Sequence, residues 1–529
     1  MKMNPDFPNE VLGYVISAYY GGRTEVRIKD NSIPITYLDF TSMYPSVYSL
    51  LGLDKYLKAK HITYEHNKAR IKLFLQSIKI EDLQRPETWN KEEMYSILSV
   101  KPNEDILPIR AEYSKDAKNI GINYLTSDRP LWYSIEDVIA SIQLTGKIPE
   151  IVDAITFYPN GVQNNLKEVK ISDITISPNE DFIQKLIEER IKVKKSNNPN
   201  KDHIQLILKI IANATSYGIY IEENPESLKE AQRTTVYSVE NFTIESEKIE
   251  KMGEYFNPII ATLITGSARL ILAIAEHISE TKGYFAYCDT DSVFVKPDIA
   301  EDIQNYFKPL NPYSVDVDMF KIENDDGELL ENVLFYGISA KRYCLYTVED
   351  NEIKIKKYSL HGLGHLKGID GKQVWKDILN KNFEGYEDKI AVSQITITKP
   401  SILNRFKVLN KNKPLSKQIK PFNFILIGAE TNGIIPSLPY TTKIEDISYQ
   451  KFVDYRTGKS SYELPLPTMA YWKSLQDVLI QYVRHSDNKF DYIEGTARRK
   501  HIIADRIRYI GKESNNLDES MVLGLDEDS

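Results

Sequence analysis

Cysteine is scarce: the 529-residue sequence has only Cys288 and Cys344, and both stand in apolar, strand-like runs. This scarcity argues against a disulfide framework or a cysteine metal centre, and it predicts two buried free thiols in a reducing compartment. No apolar run reaches the ~18–20 residues that cross a bilayer, and the start, MKMNPDFPNEVLGYV, lacks the pattern of a signal peptide. We therefore expect a cytoplasmic protein without a membrane partner.

Internal repeats and low-complexity linkers are also missing, so a chain too long for one compact core is expected to contain interleaved subdomains. The formal charge of −8 excludes a uniformly basic surface, and nucleic-acid binding would depend on local basic stripes. Two such stripes occur, at 185–195 and 497–512, although each taken alone is more simply explained as a solvated helix face. Residues 513–529 are acidic and are expected to form a disordered tail.

Hydrophobic periodicity and turn-forming residues predict the order of the elements. Strands are expected at 33–39, in a hairpin over 284–295, near 333–348 and at 353–360, and helices at 55–99, 181–195, 202–217 and 257–281. The helices at 181–195 and 202–217 each begin near an aspartate that suits an N-cap, and the turn SNNPN joins them into a helical hairpin. From about 370 the pattern becomes mixed and helical.

Two carboxylates, Asp289 and Asp291, interrupt the strand-like run YFAYCDTDSVFV. Burying them without a positive partner is costly, and a third carboxylate, Asp39, follows another buried strand. Carboxylates from two strands suit Mg²⁺, which prefers oxygen ligands and leaves positions for water and phosphate. The alternative, a tight turn in which the aspartates only satisfy local hydrogen bonds, stays open on these residues alone.

The predicted helical hairpin carries positively charged residues. Arg190 and Lys194 are four residues apart, as are Lys209 and Asn213, so each pair projects from one helix face. Tyr217 follows one turn later. Two cationic stripes facing a carboxylate pair form a site for a metal-carrying polyanion, and a nucleoside triphosphate is such a ligand.

Five short motifs, in order, resemble those of family B DNA polymerases. DFTSMYPS (39–46) resembles motif A, KIIANATSYG (209–218) motif B, and YCDTDS (287–292) motif C. YYGG (19–22) resembles the motif that joins the proofreading and polymerising modules, and AKRY (340–343) resembles the lysine–tyrosine motif that grips the primer duplex. Five ordered motifs are far more specific than any one of them.

The resemblance implies an α+β fold with right-hand architecture: an antiparallel-sheet palm, helical-hairpin fingers and a mixed, mostly helical thumb. The expected divisions are the start of the palm with motif A at 1–53, an extended palm region or insertion at 54–180, fingers at 181–218, palm with motif C and primer grip at 219–368, thumb at 369–512 and tail at 513–529.

The implied reaction is addition of dNTPs to a primer 3′-hydroxyl on primer–template DNA by two-metal phosphoryl transfer. Asp39 and Asp291, with the carbonyl of Phe40, match the ligands of two Mg²⁺ ions, for which Mn²⁺ is a possible substitute, and Asp289 matches an accessory acid. The positions that match nucleotide contacts are Ser42, Met43, Tyr44, Arg190, Lys194, Lys209, Asn213 and Tyr217. Those that match DNA contacts are Tyr19, Gly21, Gly22, Thr290, Lys341, Arg342 and Tyr343. The ring of Tyr44 is also expected to exclude a ribose 2′-hydroxyl.

Two departures from the family pattern stand out. Three residues, rather than two, separate Asn213 from Tyr217. Either a π-bulge absorbs the extra one, or the match of Asn213 to the motif slips by one residue. The stretch 54–180 is longer than in archaeal or eukaryotic members. It is either an extra subdomain like that of protein-primed members or a helical decoration of the palm.

Nothing before Tyr14 resembles the Asp-x-Glu motif of a 3′–5′ exonuclease, so we expect a polymerase core without its own proofreading domain. Either that domain is a separate polypeptide, or it has been lost, or the sequence is an N-terminally truncated product. A separate exonuclease polypeptide or a terminal protein is a candidate partner. The expected role is replication of a phage, plasmid or mobile element in a bacterial, archaeal or virus-infected cell. Reverse transcriptases and viral RNA polymerases, with adjacent aspartates in motif C, fit the sequence less well. The alternative function is a catalytically silent polymerase-like subunit that binds DNA or acts as a scaffold.

Overall fold

The computed structural model describes residues 6–28, 32–114, 117–126, 130–171, 174–197, 199–236, 242–339, 341–360 and 370–380, with four short strands between 395 and 461. Its α-helices are α1 (Asn9–Ser17), α2 (Met43–Leu50), α3 (Asp54–Lys58), α4 (Lys68–Ser77), α5 (Pro86–Trp89), α6 (Ile135–Thr145), α7 (Phe182–Lys195), α8 (Lys201–Thr215), α9 (Pro258–Lys282), α10 (Ala300–Phe307) and α11 (Gly371–Leu379). Most of the stretch expected to be a thumb, and the acidic tail, lie outside the described residues.

The strands are β1 (Thr24–Val26), β2 (Ile33–Phe40), β3 (Ala59–His66), β4 (Ser96–Lys101), β5 (Asn103–Ser114), β6 (Ala117–Thr126), β7 (Leu131–Ser134), β8 (Glu150–Val162), β9 (Val169–Ile171), β10 (Ile174–Ile176), β11 (Glu223–Val236), β12 (Phe242–Met252), β13 (Phe285–Asp289), β14 (Ser292–Val295), β15 (Phe320–Ile322), β16 (Asn324–Asp325), β17 (Glu328–Leu329), β18 (Val333–Ser339), β19 (Arg342–Glu349), β20 (Glu352–Leu360), β21 (Ile395–Ile397), β22 (Ile425–Ile427), β23 (Phe452–Val453) and β24 (Ser460–Ser461).

The central feature is an eight-stranded antiparallel sheet with the order β1-β13-β14-β2-β18-β19-β20, in which β15 also pairs with β2. The middle of β2, residues 35–38, is buried on both faces because its β-branched and aromatic side chains pack above and below the sheet. Toward its end, β2 has β14 on one edge and β15 on the other. The predicted mixed α and β class with antiparallel sheets is confirmed.

Helix α9 forms the centre of the core. It begins after Asn257, whose side chain accepts a hydrogen bond from the N–H of Ile260, and proline occupies its first position, where no intrahelical donor is needed. Its residues 258–276 are buried throughout, and it contacts β13 and β14. The predicted helix at 257–281 is therefore confirmed, together with the hairpin at 284–295 that follows it.

By length and composition, two helical segments are apolar enough to cross a membrane, Lys201–Ile221 and Pro258–Lys282. Both segments contain polar or charged residues, so this finding does not contradict the expectation that no uninterrupted apolar run reaches the ~18–20 residues of a bilayer span. Residues 258–276 of the second segment are buried within the protein, where their apolar side chains supply the core. The lack of a membrane partner stays a prediction.

The prediction of one long helix at 55–99 is wrong. Helix α3 ends at Lys58, and β3, α4, α5 and β4 follow within the same stretch. Strands β3 and β4 both pair with β8, in a second antiparallel sheet of order β3-β8-β4-β7. The residues of β8 that pair with β3 and β4 lie roughly 50 to 100 positions further along the chain, so this long-range pairing overrides a local pattern that favours helix. Region 54–180 is thus not a purely helical decoration.

The helical hairpin consists of α7 and α8, close to the predicted bounds. Asp181 caps α7, since its side chain accepts a hydrogen bond of 2.9 Å from the N–H of Gln184. The second predicted cap is wrong: Asp202 lies within the first turn of α8, after Asn200 at the cap position. Helix α8 ends at Thr215 without a π-bulge, so the extra residue of the motif is accommodated by ending the helix early.

A buried ionic network joins β1 to α9 behind the hairpin of β13 and β14. Arg23 and Arg27 each contact both Glu25 and Glu276, at distances of 2.5–3.2 Å, and all four side chains are almost fully buried. Glu25 also lies opposite Cys288 in the strand register. Two positive and two negative charges balance, so each buried ion has partners of opposite sign. Both cysteines are buried and free, as predicted.

We predict that Arg23→Met destabilises the protein by about 3–5 kcal/mol, because it leaves a buried carboxylate without compensation. The urea midpoint of unfolding of the full chain measures this. The control is Arg70→Met, since Arg70 is 45% exposed and pairs only with surface glutamates. It should cost less than about 1 kcal/mol. Equal losses from the two substitutions would contradict a structural role for the buried network.

Candidate active site

Strand pairing brings Asp39 and Asp291 to the same end of the central sheet. Asp39 lies directly opposite Ser292, the first residue of β14. Asp291 precedes Ser292 in the tight turn between β13 and β14, and its carbonyl accepts a hydrogen bond of 2.7 Å from the N–H of Phe40. Two aspartates separated by some 250 residues in sequence are therefore held at neighbouring strand ends by backbone hydrogen bonds.

The electrostatics of this pair favour a bound cation. Burial, and then repulsion from Asp39 and Asp289, raises the pKa of Asp291 to about 7. Burial also raises the pKa of Asp39, against an opposing effect of Lys321. Within the part of the chain that the structure describes, no lysine or arginine forms an ion pair with Asp291, and no cluster of three or more potential metal ligands occurs. A divalent ion would relieve the repulsion, and two carboxylates are ligands that Mg²⁺ prefers.

Asp289 has a different environment from Asp291. Its carboxylate accepts hydrogen bonds from the hydroxyls of Thr24 (2.8 Å), Thr290 (3.2 Å) and Tyr287 (3.3 Å). The ammonium of Lys341 lies 3.5 Å away. These donors hold Asp289 within the turn and link it to the start of β19. The sequence left open a tight turn in which the aspartates only satisfy local hydrogen bonds, and this describes Asp289 well. The carboxylate of Asp291 has no comparable hydroxyl or lysine partner among the described residues.

The start of α2 brings the helical hairpin to Asp39. Ser42 precedes α2 in the left-handed conformation, and its hydroxyl accepts a hydrogen bond of 3.3 Å from the guanidinium of Arg190 on α7. Burial lowers the pKa of this guanidinium. No side chain caps α2, so the N–H groups of Met43 and Tyr44 face the turn without a side-chain acceptor. Backbone N–H groups and an arginine together suit a phosphate.

The other cationic residues of the hairpin do not join this contact. Lys194, Lys209 and Asn213 are exposed, and their side chains make no hydrogen bond or ion pair with the described residues. Their predicted contacts with a triphosphate stay predictions.

A cluster of tyrosines connects the three regions of the site. The rings of Tyr44 and Tyr217 stack with centroids 4.6 Å apart, and the hydroxyls of Tyr19 and Tyr217 share a short hydrogen bond. Gly22 lies against them: a Cβ on it would stand 2.7 Å from the Thr290 hydroxyl and 2.9 Å from that of Tyr44. Only glycine fits this close approach. The motifs YYGG, A, B and C thus converge as the resemblance implies.

The residues of the AKRY motif differ in exposure. Lys341 is partly exposed in the turn before β19. Tyr343, in contrast, is buried in an aromatic cluster with Tyr287, Phe294 and Phe335. Arg342 is buried too. Of the three, Lys341 has the most accessible side chain, and all three DNA contacts stay predictions.

Backbone strain provides an independent signal at the site. Most non-glycine residues with positive φ in the described chain are Asp or Asn, which tolerate that conformation. The exceptions are Ser42 (φ 48°), Thr290 (φ 59°) and Lys341 (φ 58°). For a β-branched threonine this conformation is especially unfavourable. Such strain persists where the surrounding structure enforces it, and it concentrates at functional sites.

Comparison with solved structures finds Phi29 DNA polymerase. An orthorhombic crystal form aligns at 16% sequence identity with a TM-score of 0.40, over 72% of this chain and 59% of that one. The same polymerase complexed with primer-template DNA and incoming nucleotide substrates aligns at 16% identity with a TM-score of 0.35, over 68% of this chain and 54% of that one. The chain thus spans less than two thirds of the length of these polymerases. No protein-family model matches the sequence, and no curated protein matches it significantly.

Arg269, in the middle of α9, is a residue that the sequence motifs miss. Its buried guanidinium donates two hydrogen bonds of 2.7 Å to Asp137 on α6, and others to the carbonyls of Tyr20 (2.8 Å) and Gly21 (2.7 Å). It therefore fixes the YYGG segment next to Gly22 and ties it to region 54–180. An arginine inside an otherwise apolar helix is the one sequence signal that could have revealed it.

We predict that Asp291→Asn changes how stability depends on pH in metal-free buffer. The fold raises the pKa of Asp291 from 3.8 to about 7. The folded chain therefore holds this proton more tightly than the unfolded chain, and stability falls as the pH rises from about 4 to about 7. The Asn variant lacks this loss, so it should be more stable than the parent by about 1–3 kcal/mol at pH 8 and closer to it at pH 4.

Urea unfolding between pH 4 and pH 8 with EDTA measures this effect. The control is Asp298→Asn, because Asp298 is 63% exposed and pairs with Lys296 at the surface. If the free energy of unfolding varied with pH in the same way for both variants, the fold would not raise the pKa of Asp291 as predicted.

Proposed function

We propose that this chain is a template-directed DNA polymerase that adds deoxynucleotides to a primer 3′-hydroxyl. The observation that carries the proposal is that two partly buried carboxylates, Asp39 and Asp291, lie at the strand end that leads into the uncapped start of α2, where Arg190 contacts Ser42. An acidic pair beside a phosphate-binding surface is what phosphoryl transfer to a hydroxyl requires. In the reaction, the primer 3′-oxygen bonds to the α-phosphorus, and the bond to the β-phosphate breaks with release of pyrophosphate.

Asp39 and Asp291 would hold the divalent ions, with the carbonyl of Phe40 as a further ligand. The fit rests on the donor set and on the raised pKa of Asp291, which marks a carboxylate that lacks a positive partner. When bound, Mg²⁺ or Mn²⁺ would supply positive charge that activates the hydroxyl and stabilises the pyrophosphate. The side chains themselves position the reactants, since no protein nucleophile is needed.

The triphosphate would lie between α2 and the helical hairpin. The N–H groups at the start of α2 and the Ser42 hydroxyl face the β- and γ-phosphates in this proposal, and Arg190 lies within hydrogen-bond distance of the same hydroxyl. Lys194 and Lys209 are exposed and uncommitted to described partners, so they can neutralise the phosphate charge that grows in the transition state.

The tyrosine pair would form the wall of the nucleotide pocket. Tyr217 stacks on Tyr44, and in this proposal Tyr217 contacts the nascent base pair and Tyr44 contacts the sugar. Sequence selection would come from the template, so Lys341 and its neighbours are expected to contact the duplex backbone rather than base edges.

In the family B arrangement that we propose, the central sheet is the palm, α7 and α8 are the fingers, and 369–512 is the thumb. Region 54–180 has its own sheet and is bound to the core through Arg269, which suits an extra subdomain more than a surface decoration. Replication of a phage, plasmid or mobile element in the cytoplasm is the corresponding biological role.

The direct test is primer extension by the full chain with a 5′-labelled recessed primer, Mg²⁺ and dNTPs. We expect extension by the parent and a loss on the order of 10³-fold or more for Asp291→Asn, since several kcal/mol of transition-state stabilisation depend on the ligand. Asp298→Asn should extend as the parent does. A parent that binds the primer–template but never extends it would instead indicate the silent DNA-binding subunit.

Sugar selection gives a second prediction. Tyr44→Ala should raise the ratio of ribonucleotide to deoxynucleotide incorporation by roughly tenfold or more, because the ring no longer fills the space next to the sugar. Single-turnover incorporation of each nucleotide measures the ratio. Tyr64→Ala is the control, since Tyr64 lies on β3 in the second sheet. An unchanged ratio for Tyr44→Ala would contradict the proposal that the Tyr44 ring excludes a ribose 2′-hydroxyl.

A further inference from the structure

Asp39 has a cationic neighbour that none of the motifs includes. Lys321 lies directly opposite Asp39 in the register between β15 and β2, and its ammonium is 3.3 Å from the carboxylate. On the other edge of β2, Asp39 lies opposite Ser292, next to Asp291. Asp39 therefore stands between a second acid on one side and a lysine on the other.

The backbone of Lys321 is fixed, whereas its side chain is not. Phe320 is fully buried and packs edge-on against Phe40, with ring centroids 5.0 Å apart. The N–H of Thr41 donates a hydrogen bond of 2.8 Å to the carbonyl of Met319, just before β15. The side chain of Lys321 is 50% exposed, because successive residues of a strand point to opposite faces. Its ammonium can therefore swing into solvent without moving the strand.

The charges around Asp39 make its ion pair with Lys321 important for the binding of a cation. In the described chain, Lys321 is the residue that forms an ion pair with Asp39, whereas Asp291 has none. Glu323, two residues further along, pairs instead with Lys357 at 3.6 Å. A divalent ion held by Asp39 would lie within a few ångströms of the Lys321 ammonium and would repel it. The ion and the lysine thus compete for the same carboxylate.

We propose that Lys321 is a built-in counter-ion of Asp39, which a divalent cation has to displace. This inference rests on the proposed function, since it assumes that Asp39 is a metal ligand. It follows that the chain alone binds the cation weakly, and binds it well only with a nucleoside triphosphate, whose negative charge offers the displaced ammonium a new partner. Lys321 is in this sense a positioning residue that sets the order in which metal and nucleotide arrive.

The test measures Mn²⁺ binding to the full chain by EPR detection of free Mn²⁺, without DNA or nucleotide. Lys321→Met should bind the ion about two- to fivefold more tightly than the parent, as expected for removing one exposed ion pair. Lys321→Arg keeps the charge and should bind as the parent does. The matched control is Lys354→Met, because Lys354 is 52% exposed and pairs with Glu349 on the far part of the same sheet.

Three outcomes would overturn the inference, and they differ in whether the proposed metal site also falls. If Asp39→Asn abolishes binding while Lys321→Met binds as the parent does, or more weakly, then the counter-ion role is wrong and the metal site stands. If Asp39→Asn binds Mn²⁺ as the parent does, then Asp39 is not a ligand, and the proposed function loses its metal site as well. A gain shared by Lys321→Met and Lys354→Met would reflect net charge alone and would also overturn the counter-ion role.

Discussion

Repulsion between carboxylates that paired strands hold together is the constraint around which this site is arranged. Backbone hydrogen bonds between β2 and β14 fix Asp39 beside Asp291 whatever the charge of the side chains. The protein relieves part of the repulsion with lysines, since Lys321 contacts Asp39 and Lys341 contacts Asp289. Asp291 receives no such partner among the described residues. The charge of Asp291 is therefore uncompensated among those residues, which is why burial and the neighbouring aspartates raise its pKa to about 7.

Helix α9 is what allows the strands to keep this geometry. Arg269 and Glu276 are seven residues apart, or about two helical turns, so they face the same side of the helix. Arg269 holds the carbonyls of Tyr20 and Gly21, and Glu276 holds Arg23 and Arg27. The segment that leads from the YYGG motif into β1 is thus fixed at two points. Because β1 pairs with β13, its position is passed on to the turn that carries Asp291.

The strained residues lie where this framework meets the reacting groups. Ser42, Thr290 and Lys341 each occupy a turn next to an acidic residue of the site, and each has positive φ. A single residue of this kind costs on the order of 1–3 kcal/mol. A 25-residue helix that is buried from residue 258 to 276 and a sheet of eight strands offset that cost. The same framework leaves Lys321 and Lys341 exposed enough to exchange partners when a polyanion arrives.

The sequence by itself determined the local elements of the site. Asp39, Asp291 and the helices of the hairpin were predictable because each lies in a short run whose pattern or motif is complete within a few residues. The prediction of one long helix at 55–99 failed because distant residues decide the outcome: β3 and β4 became strands through pairing with β8. Only the tertiary structure showed Arg269 on the Tyr20–Gly21 carbonyls and Lys321 opposite Asp39. No local pattern encodes such contacts, because strand register and the packing of a buried helix depend on residues far apart in the chain.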